Sequence, residues 1–397
     1  MDSQVVTTAE MRAVEEAAFA RGVSAEQMMD EAGAGLARTV ERFFAVPGRC
    51  LAFVGKGHNG GDALVAARLL QERGWAVELH LSFNPTDCSE LTRKKLHELP
   101  GRSGTRLSNA ASTIALDGLL GIGLKLPLRE PLRAACREIN SLRQNANIVT
   151  FAVDIPSGLD SDSGAADVDC VIADFTVAVG FAKSGLLSDR ALDYVGRLEI
   201  VPLRELSCAA AAAERVVATP DALRTLLPRR KFGAYKNQFG RVGVVAGSEG
   251  LTGAAVLCAL GALRGGAGLV NIFVNEDIYP VVAAAAPPEA MVRPLSGYNT
   301  LAEQPVNVWA VGPGLGQHHA DELRDLIAHA EQPMVVDADG LNALAERREI
   351  LQHCRGPRLL TPHPGEMERI DPGGGSDRAK RAAGFVRAHP VTLLLKG

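Results

Sequence analysis

The sequence predicts an α/β protein with two domains, and three observations support this. Its 397 residues are more than a domain with a single hydrophobic core usually contains. The composition, 47% hydrophobic and 5% aromatic with 41 glycines, favours buried parallel strands over a β-sandwich. Apolar strand-like segments alternate with helix-like segments, and this alternation is typical of a parallel sheet with right-handed crossovers.

The strand and helix alternation occurs twice. The first half begins with two capping-box spacings, Thr7-x-x-Glu10 and Ser24-x-x-Gln27, each opening a predicted helix. An alanine-rich stretch then interrupts the pattern, which restarts at RVGVVAGS. We therefore expect a boundary near 206–215, with domains at 1–210 and 216–397.

Charge and cysteine usage limit the classes of partner. The formal net charge of -4 shows no basic excess, which argues against nucleic acid and anionic membranes. The seven cysteines are scattered without a C-x-x-C pair, so a reducing compartment fits better than a disulfide framework or a zinc site. With neither a signal-peptide pattern nor an apolar run of membrane-spanning length, we expect a cytoplasmic protein. Whether the chain forms a homo-oligomer stays open.

The stretch GKGHNGGD (55–62) follows a predicted strand and opens a predicted helix. Its Gly-x-Gly-x-x-Gly spacing fits the dinucleotide fingerprint of an oxidoreductase, and Glu78 lies about where a ribose-binding acid would stand. Against this interpretation, we place Asp62 at the N-terminus of the helix, where a pyrophosphate would bind. His58 and Asn59 add polar side chains to the turn. The loop therefore favours a neutral or cationic polar group, or a metal ion.

Two further carboxylates, Asp117 and Asp154, lie at the C-terminal ends of predicted strands and precede glycine turns. Because the carboxyl ends of parallel strands line one crevice, we expect them to converge with Asp62. Like charges at close range need a cation or a shifted pKa. The nearby donors, Asn59, Asp117 and Ser157, offer only oxygen as a ligand atom, which indicates a hard ion and not zinc. The position of Asp154 at a strand end makes it our candidate acid/base residue.

The motifs MMDEAG, GKGHNGGD, DGLLGIGL, VDIPSGLD and ADFTVAVGFAKSGL closely resemble the N-terminal half of the bifunctional NAD(P)H-hydrate repair enzymes. The resemblance implies a Rossmann-like epimerase that interconverts R- and S-NADHX and NADPHX, the cofactors hydrated on the nicotinamide ring. It implies substrate contacts from His58, Asn59, Gly60, Gly61, Asp62, Gly121, Ile122, Gly123, Leu124, Lys125, Leu126, Pro127 and Asp154. It also implies a potassium ion held by Asn59, Asp117 and Ser157.

The second half carries polar residues after its predicted strands: Asp337, Asp339 and Asn342 in VDADGLN, and His363 between two prolines. With VVAGSEGLTGAA and AVGPGLG, these motifs resemble the C-terminal half of the same enzymes. The resemblance implies a ribokinase-like domain that dehydrates the S epimer with ADP and Mg²⁺, by phosphoryl transfer to the hydroxyl and loss of phosphate. The implied hydrate contacts are Ala254, Gly314, Gly316 and His363, and the implied ADP contacts are Lys396 and Gly397.

In that family, a loop beginning Lys-Gly contacts ADP, and a later glycine-rich helix start supplies the anion hole and the catalytic Asp. The sequence contains only Lys396 and Gly397 of these elements. We therefore expect an incomplete ribokinase-like domain in a chain that epimerises but does not dehydrate. Two alternatives stay open beside the oxidoreductase: a ribokinase-like small-molecule kinase, and a non-catalytic nucleotide-binding module.

Overall fold

The computed structural model describes residues 3–99, 112–124, 126–146, 148–206, 215–227 and 229–397. The chain forms two compact units, Met1–Pro228 and Arg229–Gly397. The division lies after the expected boundary near 206–215. The reason is a short strand at Val216–Val217, which pairs antiparallel with Ser3–Val6 and so belongs to the first unit.

The first unit contains a six-stranded sheet in which every pairing is parallel. A second sheet of three short strands has the order β7-β1-β9. In chain order the strands are β1 (Ser3–Val6), β2 (Arg49–Val54), β3 (Ala76–Leu81), β4 (Thr113–Gly118), β5 (Val149–Val153), β6 (Phe175–Val179), β7 (Ala182–Lys183), β8 (Arg197–Val201) and β9 (Val216–Val217). The order in the large sheet is β3-β2-β4-β5-β6-β8.

The helices of the first unit cover both faces of the large sheet. They are α1 (Thr8–Ala20), α2 (Ala25–Phe43), α3 (His58–Glu72), α4 (Glu90–Glu98), α5 (Leu132–Ala146), α6 (Leu192–Val195) and α7 (Pro220–Leu223). Both predicted capping boxes are confirmed, at Thr7 and at Ser24. Alternate β2 residues pack on opposite faces, Ala52 with α2 and α3 and Phe53 with α5, as the period of a strand requires.

The second unit contains one seven-stranded parallel sheet. Its strands are β10 (Arg241–Val245), β11 (Leu269–Asn275), β12 (Ala290–Leu295), β13 (Val308–Val311), β14 (Met334–Val336), β15 (Arg358–Leu360) and β16 (Thr392–Leu393), and its helices are α8 (Thr252–Gly265), α9 (Tyr279–Ala285), α10 (Ala320–His329), α11 (Asp339–Ala345), α12 (Pro364–Ile370) and α13 (Arg378–Ala388). The strand order is β12-β11-β10-β13-β14-β15-β16. The prediction of α/β architecture in both halves is confirmed.

In each large sheet there is one change of direction, the point at which the chain stops adding strands on one side and begins to add them on the other. In the first unit it lies between β2 and β4, and in the second between β10 and β13. The loops that leave the carboxyl ends of two such strands turn to opposite faces and leave a crevice. Among the described helices, none combines the length and apolarity that crossing a membrane needs.

A buried arginine organises the second unit. Arg358 in β15 is 2% exposed, and burial lowers the pKa of its guanidinium. Its Nε donates to the carbonyl of Ile327 at 2.7 Å, and its Nη atoms donate to the carbonyls of Ala330, Gln332 and Pro357. Two of these carbonyls belong to the end of α10, where the helix leaves its own acceptors unpaired. Arg358 therefore ties the end of α10 to β15.

We predict that Arg358→Met lowers the free energy of unfolding of the second unit by about 3 kcal/mol, because buried carbonyls lose their donors. Urea unfolding followed by circular dichroism measures the change. The exposed Arg355 serves as a control, and Arg355→Met should change stability by no more than about 0.5 kcal/mol. Equal stabilities of the two variants would contradict the assignment.

Candidate functional site

A cavity of about 770 Å³ lies at the change of direction in the first unit. Its wall comes from the loops after β2, β3, β4 and β5 and from one side of α1. The residues predicted from the sequence that line it are His58, Asn59, Asp62, Gly121, Ile122, Gly123 and Asp154. The topology thus brings together side chains from three separate sequence motifs.

Other predicted contact residues do not line this cavity. A Cβ added at Gly60 would lie 1.9 Å from the Gly55 carbonyl oxygen, and one at Gly61 would lie 2.3 Å from Met29 Cε. These two glycines let α3 pack closely against the loop after β2 and against α2. The residues Leu124, Leu126 and Pro127 are also absent from the cavity wall, and Lys125 lies outside the described residues. Substrate contact by all of these stays a prediction.

The structure corrects the expected position of Asp62. Helix α3 begins at His58, so Asp62 is its fifth residue, and the first turn carries no acidic side chain. The free N–H groups of that turn therefore have no carboxylate from the turn itself beside them. The prediction that Asp62 occupies the helix N-terminus is wrong, and it no longer argues against an anionic group there.

The expected ribose-binding acid is also placed differently. Glu78 lies in the middle of β3, and its carboxylate pairs with Arg49 in the neighbouring strand. Where β3 ends, Ser82 and Asn84 reach the cavity instead. The oxidoreductase interpretation therefore loses the acid on which it depended.

Asp154 follows β5 and is 8% exposed. Its φ of 66° lies in the left-handed region, which a non-glycine residue adopts at an energetic cost. Its Oδ1 accepts a hydrogen bond from the Val179 N–H at 3.0 Å and a second one from the ammonium of Lys183. The buried Lys183 Nζ also donates to the Val179 carbonyl at 2.8 Å.

Two more carboxyl groups share this electrostatic environment. Burial raises the pKa of Asp62 well above its ordinary value, and the charge of Asp154 adds to the effect while Lys183 opposes it. Burial also raises the pKa of Glu15 in α1, against the opposing charge of Lys183. Sequence analysis missed Glu15 and Lys183. A lysine within the apolar run FTVAVGFAKSGLL was an available signal, whereas Glu15 carried none.

Asp117 does not join this cluster. It is fully buried and is absent from the cavity wall. Its carboxylate accepts hydrogen bonds from the Ser157 N–H at 2.7 Å, the Ser157 hydroxyl at 2.6 Å and the Leu119 N–H at 3.3 Å. Burial raises the pKa of Asp117 to about 6, and the Ser157 hydrogen bonds hold it down. The predicted convergence of three aspartates is therefore wrong for Asp117.

The three residues predicted to hold an ion meet around Leu120. The Asn59 Nδ2 donates to the Leu120 carbonyl at 2.8 Å, and the Leu120 N–H donates to Ser157 Oγ at 2.9 Å. The Asn59 amide, the Leu120 backbone, the Ser157 hydroxyl and the Asp117 carboxylate thus belong to one small hydrogen-bond network. Within the described residues no group of three or more His, Cys, Asp or Glu side chains could hold a metal ion. Oxygen donors suit a hard cation better than zinc.

In the second unit, the predicted site residues lie at the carboxyl ends of the strands, as they do in the first unit. Gly314, with φ +66°, would place a Cβ 2.9 Å from that of Ala254. The Gly316 N–H donates to Asp339 Oδ2 at 2.9 Å. The loop after β13 therefore touches both α8 and the start of α11.

Two further interactions connect the neighbouring loops. Lys396 Nζ donates to Asp337 Oδ1 at 2.8 Å, and its N–H donates to the Pro362 carbonyl at 2.9 Å. Arg369, which sequence analysis missed, donates from Nε to Asn342 Oδ1 at 2.8 Å. The loops after β14, β15 and β16 are therefore joined.

His363 has a defined chemical state in this site. It is the N-cap of α12, and its Nδ1 accepts hydrogen bonds from the N–H groups of Gly365 and Glu366. An accepting Nδ1 leaves the proton of a neutral imidazole on Nε2. Nε2 lies 3.4 Å from Glu366 Oε1, and because the ring is half-exposed a ligand can compete with that carboxylate for the Nε2–H donor.

Comparisons with known proteins agree with both halves. Residues 25–185 match the family YjeF-related protein N-terminus, and residues 242–397 match the family NAD(P)H-hydrate dehydratase. A bifunctional NAD(P)H-hydrate repair enzyme of Moorella thermoacetica is 35% identical over 99% of this chain and 80% of its own length. One from Gloeobacter violaceus is 36% identical over 99% of this chain and 81% of its own length.

Among solved structures, an ADP/ATP-dependent NAD(P)H-hydrate dehydratase from Bacillus subtilis is 32% identical, with a TM-score of 0.39. The alignment covers 45% of this chain and 65% of that one. The relatives from Moorella thermoacetica and Gloeobacter violaceus, in contrast, align with both units of this chain. The chain belongs to the family of bifunctional NAD(P)H-hydrate repair enzymes.

Proposed function

We propose that the first unit interconverts the R and S forms of NADHX and NADPHX. The observation that carries this proposal is the cavity in which the strained Asp154, ion-paired with Lys183, faces the same space as Asp62. Its volume of about 770 Å³ is in the range of pockets that enclose a cofactor-sized ligand.

Two carboxyl groups in unlike surroundings suit this reaction. The epimerised carbon bears a nitrogen and a hydroxyl. Inverting it can break the C–O bond, with a proton given to the hydroxyl so that water leaves, and form a new C–O bond from water on the opposite face, which gives up a proton. Asp62, whose pKa is raised by burial, is suited to hold a proton, and Asp154, beside an ammonium, is suited to accept one. We assign Asp154 as the acid/base residue and Asp62 as its partner.

The network around Leu120 supports a potassium ion as part of the same proposal. Asn59, Asp117 and Ser157 would hold it with oxygen atoms, and its charge would offset that of the buried Asp117 carboxylate. By keeping these loops together the ion would stabilise the wall of the cavity formed by Gly121 and its neighbours.

For the second unit we propose a site of the ADP-dependent dehydratase type, which binds S-NAD(P)HX and ADP with Mg²⁺, while the absence of dehydration in this chain stays a prediction. Support comes from the joined loops that bring Ala254, Gly314, Gly316 and His363 to one edge of the sheet. Lys396 and Gly397 stand at the same edge and would contact ADP. When bound, Mg²⁺ and ADP supply the phosphoryl group and its charge stabilisation.

The alternatives have less support. The full-length relatives at 35% and 36% identity are repair enzymes, and neither is a kinase or a non-catalytic binding module. An ion-paired carboxylate inside a closed crevice also favours an enzyme over a binding module. Incubating the chain with a pure epimer and following the appearance of the other by chromatography tests the proposed activity directly.

We predict that Asp154→Asn lowers kcat for epimer exchange by about 100-fold or more, because the amide keeps the shape but cannot transfer a proton. Exchange is measured by chromatography at saturating substrate. The matched control is Asp193→Asn, at an exposed aspartate of the same unit, which should exchange at the wild-type rate. Near-normal exchange by a folded Asp154→Asn protein would refute the assignment.

We predict that potassium chloride raises the melting temperature of the first unit above its value in tetramethylammonium chloride at equal ionic strength, because the ion binds only the folded loops. Differential scanning calorimetry measures the shift. Asp117→Ala should abolish it. A wild-type protein that melts identically in the two salts would exclude the ion.

We predict that two variants of His363 separate capping from binding. His363→Asn retains a side-chain acceptor for the cap and should leave stability unchanged, whereas His363→Ala should cost about 1 kcal/mol. Both lose the Nε2–H donor. In hydrogen–deuterium exchange, S-NADHX should therefore protect peptides spanning 361–370 in the wild type and in neither variant. Full protection in His363→Asn would show that His363 only caps α12.

A further inference from the structure

Lys183 is nearly inaccessible yet borders the cavity. Its side chain is 1% exposed, and its Nζ lies between the Val179 carbonyl and Asp154 Oδ1. A lysine loses a strong interaction with water when it is buried, so burial at this point requires compensation. Among the described residues, Asp154 is the one carboxylate with which it forms a salt bridge. The two side chains therefore form a direct ion pair at the wall of the cavity, with Glu15 and Asp62 nearby.

The carboxylate of Asp154 is held asymmetrically by this pair. Oδ1 accepts from both Lys183 and the Val179 N–H, whereas Oδ2 forms no hydrogen bond with any described part of the chain. Two donors on one oxygen fix the rotation of the carboxyl group and leave the other oxygen for a ligand. The left-handed backbone of Asp154 adds to this constraint, because strain of that kind persists only where surrounding contacts impose it.

The backbone of Lys183 is fixed by a second, independent contact. In the small sheet, Val6 of β1 pairs with Lys183 and Val5 pairs with Ala182. The same β1 continues into α1, which carries Glu15 to the cavity. The ammonium is therefore held in place relative to Asp154, Glu15 and Asp62, and it opposes the rise that burial causes in the pKa of Glu15 and Asp62.

We propose that Lys183 is a positioning residue of the epimerase site: it fixes Asp154 so that its free oxygen acts on the substrate. This inference rests on the proposed function of the first unit. A residue that only stabilised the fold could be replaced by an apolar side chain of similar volume without loss of catalysis in the folded protein. A positioning residue could not, because a misplacement of about 1 Å costs about 100-fold in rate.

The first test uses Lys183→Met in the full chain, compared with the wild type for kcat, KM and melting temperature. We expect kcat to fall by about 100-fold while KM changes by less than about threefold, in a protein that melts cooperatively. A folded Lys183→Met protein with near-normal kcat would overturn the proposal. Wild-type protein that does not exchange the epimers would instead reject the proposed function itself.

The second test restores the charge without the side chain. Lys183→Ala leaves space beside the cavity, and propylamine, as its ammonium, should raise the kcat of this variant at least tenfold with saturation. Propan-1-ol has a similar shape without the charge and should give no recovery. Recovery by the alcohol, or none by the ammonium, would overturn the proposal. If Lys183→Ala does not fold, Lys183→Arg replaces it as the test variant. Arginine keeps the positive charge with a different geometry, so this variant should fold with a kcat reduced at least tenfold.

Discussion

The change of direction between β2 and β4 is the constraint on which the first unit's site depends. Because these strands are parallel neighbours whose connections leave toward opposite faces of the sheet, the loops that follow them separate and leave a crevice. The glycine loop after β2 and the Gly121 loop after β4 form its walls, and Asp154 reaches it from β5. No single segment of the chain could assemble this site, since each supplies one wall or one charged group.

The charge balance of that crevice explains why its wall includes segments far apart in the sequence. Burying Asp62, Glu15 and Asp154 together is costly unless a cation lies among them. Lys183 supplies the positive charge, and the pairing of β7 with β1 fixes its position. Helix α1 lies before the matched family region, which begins at residue 25. The cavity nevertheless requires it, because Met11, Arg12 and Glu15 close one side.

Local sequence signals predicted the elements well and the long-range contacts poorly. Both capping boxes and the alternation of strands with helices could be predicted, because each depends on residues within a few positions of one another. The predicted position of Asp62 was wrong by one helical turn, because the glycines of the loop do not show where α3 begins. The separation of Asp117 from Asp154 could not be predicted, because the sequence does not show that Asp117 lies inside β4, where Ser157 encloses its carboxylate, whereas Asp154 follows β5.

Each unit holds a site side chain in a fixed orientation near the carboxyl end of a strand, and the two units do so through different interactions. In the first, Lys183 restrains the Asp154 carboxylate through its charge, so the group proposed to act on a proton is also the group held in place. In the second, the α12 backbone restrains His363 through its Nδ1, which leaves Nε2 as the donor, 3.4 Å from Glu366 Oε1. An ion pair suits a reaction that moves protons, whereas a fixed neutral donor suits recognition of a hydroxyl. Under the proposed functions, the difference in restraint matches what each unit would have to do, transferring a proton in the first and recognising a hydroxyl in the second.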